Sequence, residues 1–62
     1  MVNIGDRFSP HGVRNKSITY KVIDCEYNDY GMDEYYWMRN ETSPDDVIYL
    51  SEDVLIKHYE RV

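Results

Sequence analysis

Aromatic and acidic side chains crowd the middle of this 62-residue chain, and they are the residues best suited to recognition chemistry. Tyr27, Asp29, Tyr30, Asp33, Glu34, Tyr35 and Trp37 all fall between positions 27 and 37. Tyrosine and tryptophan faces attract ammonium and guanidinium groups, and neighbouring carboxylates steer and pair with the same cations. The set reads as a contact surface for a protein with a basic face, for a proline-rich segment, or for a second copy of this chain. The competing explanation is bulk, because a very small domain can fill its core with tyrosine and leave the hydroxyl in water. Tyr20, Tyr36 and Tyr59 are assigned to that core. Tyr27, Tyr30, Tyr35, Trp37 and Tyr49 are then in excess.

Catalytic groups show no comparable grouping. A nucleophile needs a base within reach, and acid–base chemistry needs paired groups in a cleft. Cys25 has no histidine near it in sequence, while Ser43, Ser51 and His58 belong to turn, cap and helix. Asp45-Asp46 reads as a turn pair. His11, Cys25 and His58 lack metal-ligand spacing. The chain is therefore expected to be non-enzymatic, with no metal and no cofactor. Cys25 is the only cysteine, so no disulfide can form within one chain, and a reducing, cytoplasmic setting is expected.

Charge is unevenly distributed. Residues 24–53 contain ten acids against one base, Arg39, for a local charge of −9. The rest of the chain contains six bases against two acids, for +4, which gives the net −5. Such a middle repels nucleic acid and attracts basic partners. Direct nucleic-acid contact is the alternative; it would fall to the basic loop from Arg7 through Arg14 to Lys16, with Lys57 and Arg61. In the converse reading, the carboxylates imitate a phosphate track and occupy a DNA-binding protein. No apolar run approaches the roughly 20 residues that a membrane-spanning helix needs, and the first residues lack a leader pattern. Asn15-Lys16-Ser17 and Asn40-Glu41-Thr42 have the form of glycosylation acceptors, but without a leader they read as turns.

The elements that must position these residues are mostly strands. Ile4 to Phe8 reads as a short first strand, followed by turn chemistry at Ser9-Pro10-His11-Gly12. In Ile18 to Tyr27 the alternation of apolar residues changes parity: Ile18, Tyr20 and Val22 face one way, then Ile23, Cys25 and Tyr27 take over. A regular strand cannot switch faces, so a bulge or sharp bend is expected near Val22-Ile23. Asn28 to Gly31 makes a hairpin turn into a central strand over Tyr35 to Arg39. Its side-chain period of two sends two of Tyr35, Tyr36, Trp37 and Met38 to each face. Pro44 ends the loop that follows, and Val47 to Leu50 reads as a short buried strand. Ser51 is placed to cap one short helix or helical turn containing Val54, Leu55, His58 and Tyr59, with acids Glu52 and Asp53 at its positive end. Glu60 to Val62 returns as an edge strand.

This order describes a mainly β fold: a small SH3-like barrel of about five strands with one short helix or 3₁₀ turn near the C-terminus, forming one domain over residues 1–62. The wording of the sequence supports it. "IGDRF", then "ITYKVID", then "YLSEDVLIKHYERV" resembles short bacteriophage and prophage proteins with a small SH3-like, Tudor-like or KOW-like β-barrel. Gly5, Asp6, Tyr20, Val22, Ser51, Leu55 and Tyr59 occupy the matching positions. The resemblance implies a small adaptor or inhibitor of a host protein, such as a nucleic-acid-handling or defence enzyme. A homodimer with a structural role is the remaining alternative.

Overall fold

A computed structural model describes residues 2–12, 18–28 and 33–62. It contains strands β1 (Arg7–Pro10), β2 (Tyr20–Asn28), β3 (Asp33–Asn40) and β4 (Val47–Ser51), helix α1 (Glu52–His58) and strand β5 (Tyr59–Arg61). All strand pairs are antiparallel, in one sheet of order β4-β3-β2-β1-β5. The protein is thus mainly β, with five strands and one short helix. No described helix is long and apolar enough to cross a membrane.

The expected bulge is present. Register runs Val22 opposite Met38, then Asp24 opposite Trp37, leaving Ile23 as the extra residue. Before the bulge the even positions of β2 face the core; after it the odd positions share the face of Tyr36. This resolves the parity change read from the sequence.

β3 alternates strictly: Tyr36, Met38 and Asn40 are buried, while Trp37 and Arg39 are exposed. The inner face of the sheet therefore offers Val22, Tyr36, Met38 and Leu50, joined by Phe8 from β1. These would face water if nothing covered them. α1 supplies the cover through Leu55, its single buried residue, which is completely inaccessible to solvent. Val2, Tyr20, Ile48 and Tyr59 pack around the margin. Ser51 caps the helix as expected, accepting a bond from the Val54 amide at 3.4 Å. Ile56 lies outward.

Several expectations change. The sheet does not close into a barrel: β4 and β5 are its two edges and do not pair with each other. The chain passes directly from β4 into α1 and from α1 into β5, so the helix occupies the place where a closing pair would form. The first strand starts later than Ile4, because Gly5 takes a φ of 99° and the segment Asn3–Asp6 is a turn. The Asp6 amide donates to the Asn3 carbonyl at 3.0 Å, and the Asp6 carboxylate accepts from the Asn3 amide at 2.8 Å. Pro10 lies in β1 rather than in a turn. Pro10 is opposite Tyr59 of β5, but the bonds to that side fall on neighbouring positions, with the His11 amide donating to the His58 carbonyl at 2.8 Å. On the other side β2 pairs only with Arg7 and Phe8, so no donor is required from Pro10. β4 is half-exposed rather than buried: Leu50 faces the core and Tyr49 faces outward. Ile18 precedes β2 and is exposed.

Candidate functional site

Side chains of β3 at odd positions and of β4 at odd positions share the outer face, opposite the helix. Trp37 is directly across from Tyr49, and Tyr35 from Ser51, one step along the strand. Cross-strand neighbours this close bring their rings together. Tyr35 and Tyr49 stack with centroids 5.2 Å apart at 12°, and Trp37 tilts against Tyr49 at 4.4 Å and 44°. Tyr49 is therefore the middle member of a row of three rings. Trp37 retains 38% of its surface and Tyr49 44%, so the row is open to solvent. α1 lies on the other side of the sheet, where Leu55 packs with Tyr36 and Met38 in the core.

Carboxylates edge the row from β2. Asp24 is directly opposite Trp37 and Glu26 directly opposite Tyr35. The Tyr49 hydroxyl donates to Glu26 Oε2 at 3.4 Å. Partial desolvation within the row, then the Glu26 charge, raise the Tyr49 phenol above its ordinary pKa. Asp24 Oδ1 also accepts from the Cys25 amide at 2.8 Å.

The residues singled out from the sequence are divided by the hairpin register. Tyr35 and Trp37 are together in the outer row. Tyr27, 54% exposed, is across from Glu34, on the parity of the inner face. With Asp33, Glu34, Glu52 and Asp53 it lines a shallow hollow of about 220 Å³ beside the start of α1. There the buried Tyr36 hydroxyl meets two carboxylates, Glu34 by a short bond and Glu52 at 3.0 Å. Burial and these two acceptors push the Tyr36 phenol far above its ordinary pKa. Asp29 and Tyr30 lie outside the described residues, as do Arg14 and Lys16 of the basic loop. Arg7, the described member of that loop set, pairs through Nε with Glu41 Oε1 at 2.7 Å.

Tyr49, Asp24 and Glu26 were not among the site candidates read from the sequence. Tyr49 could have been found from the alternation of Ile48 and Leu50 inward. The parity change already set Asp24 and Glu26 on the face away from Cys25 and Tyr27, but which β3 residues stand opposite them depends on the hairpin register. Among the described residues, no cluster of histidine, cysteine or carboxylate side chains could hold a metal ion. Comparison with known proteins gives no family model, no curated protein and no solved structure that matches the chain.

Proposed function

We propose that the chain is a small, non-enzymatic protein–protein interaction module of SH3-like, phage type. It binds a host protein through the outer face of β2, β3 and β4 and so inhibits or redirects that protein in the host cytoplasm. The observation that carries this reading is the solvent-exposed row Tyr35–Tyr49–Trp37, edged by Asp24 and Glu26. Three adjoining, partly exposed aromatic rings offer an apolar surface of the kind found at interaction hot spots. Guanidinium and ammonium groups stack on such rings, and the two carboxylates favour a partner segment rich in arginine or lysine. The sheet order, with a helix between β4 and β5, supports the SH3-like assignment in an open rather than closed form.

The test is a two-step binding experiment. A protein captured from host lysate is identified, produced separately, and titrated against wild type and against Tyr35→Ala/Trp37→Ala/Tyr49→Ala by calorimetry. Affinity should fall by at least about a hundredfold in the variant, since each removed hot-spot ring typically costs more than a factor of about five. Equal affinity for wild type and variant would show that the row is not the docking surface.

A further inference from the structure

Sheet register assembles a group of charges that the linear sequence scatters. Arg7 on β1 is directly opposite Lys21 on β2, and Lys21 is directly opposite Arg39 on β3. Directly opposed residues share a face, so three cations stand side by side across three strands in a chain of net charge −5. Like charges placed this way destabilise a sheet. Arg7 is balanced by Glu41. Neither Lys21 nor Arg39 forms an ion pair with a described residue.

Those two side chains border an open hollow of about 360 Å³ with Ile4, Ile23 and Pro44 as its apolar walls; Asn40 and Glu41 complete the lining, and the Glu41 carboxylate is already paired with Arg7. Ile23, the bulged residue with none opposite it on β3, stands in the wall of the hollow. Both rims are tied down. On one side the Gly5 amide donates to the Val22 carbonyl at 2.8 Å, and the Val22 amide donates to the Asp6 carbonyl at 2.9 Å. Ile4 is thereby held at the mouth although 62% of its surface is exposed. On the other side the Asn40 amide donates to the Asp46 carbonyl at 2.9 Å and the Asp46 amide to the Ser43 carbonyl at 2.8 Å. The Asn40 side chain accepts from the Thr42 amide at 3.0 Å, which fixes the loop carrying Pro44. A ligand entering a preformed site loses little affinity to ordering the protein.

The hollow is at the lower end of the size range for small-molecule sites, with apolar walls and a few convergent charges. We propose that it binds a small organic anion. The carboxylate or phosphate head lies between Lys21 and Arg39, and the apolar body lies against Ile4, Ile23 and Pro44. This site uses none of the aromatic row, so its fate is separate from that of the proposed protein interface.

Amide chemical shifts of ¹⁵N-labelled protein provide the test, with phenylacetate and phenyl phosphate as probes for the two kinds of head. Acetate, inorganic phosphate and benzyl alcohol test head and body alone. At least one complete probe should give saturating shifts at Lys21, Ile23, Arg39 and Glu41 in the millimolar range, and the tighter of the two identifies the head. Head or body alone should bind at least about tenfold more weakly. Lys21→Gln and Arg39→Gln should each weaken the complete probe by at least about tenfold, the size of one lost hydrogen bond to a charged group. Both substitutions are on the solvent side and relieve repulsion, so the variants should remain folded. Absence of saturating shifts with both probes overturns the proposal. So does binding that survives both substitutions, or benzyl alcohol binding as tightly as the anions.

Discussion

Replacing Leu55 by alanine tests how the sheet is closed off from water. Leu55 has no exposed surface and is the single buried residue of α1, packed with Phe8, Val22, Tyr36, Met38 and Leu50. Truncating a buried leucine costs about 2–5 kcal/mol, from lost transfer energy and the cavity left behind. A domain of this length is held by only about 3–9 kcal/mol in total. A loss of about 3 kcal/mol would lower the melting temperature by roughly 12–24 °C, at 4–8 °C per kcal/mol for a domain this small. The adjacent Ile56→Ala is the internal control, because Ile56 is on the same helix but 62% exposed. Its expected cost is within about 0.5 kcal/mol, typical of a surface substitution. Thermal and urea unfolding followed by far-ultraviolet circular dichroism would measure both. Equal losses for the two variants, or an Leu55→Ala protein as stable as wild type, would refute the claim that α1 seals the inner face.

Two further outcomes follow from the tyrosines. Tyr36→Phe removes the one hydroxyl on which Glu34 and Glu52 converge, and the two carboxylates then face each other without a donor between them. The expected loss is about 1.5–3 kcal/mol, the range for a hydrogen bond to a charged group, and it should shrink when the acids are protonated at low pH; a loss independent of pH would refute this account. Tyr20 donates to Asp46 Oδ2 at 2.7 Å, and that bond, with burial, pushes its phenol up to about 12. A raised folded-state pKa contributes stability that is complete below the unfolded value near 10 and is lost as pH rises through the folded value near 12. Urea midpoints should therefore fall between pH 10 and pH 12 more steeply in wild type than in Tyr20→Phe, and equal slopes would contradict the assignment.

Much of the fold was legible in the sequence because local rules carried it. The parity change at Val22-Ile23 called for a bulge or a sharp bend, and β2 has an extra residue there. Ser51 followed by two acids marked the helix start, and the period of two separated Tyr36 and Met38 from Tyr35 and Trp37. What depended on register was not legible. Tyr27 is close to Tyr35 in sequence, yet the hairpin pairs it with Glu34 on the other face. Arg7, Lys21 and Arg39 are far apart along the chain and become neighbours only when three strands align. Closure of the sheet was equally a tertiary matter, because β5 has just three residues and α1 intervenes between it and β4.

The most direct measurement uses Trp37, the single tryptophan, as its own reporter. Its emission is followed while an arginine-rich peptide is added at low and at high salt. The account predicts a saturable change that weakens as salt rises and is lost in Asp24→Asn/Glu26→Gln. An emission spectrum unmoved by the peptide at low salt would contradict a basic partner on this face, as would a response that ignores both carboxylates.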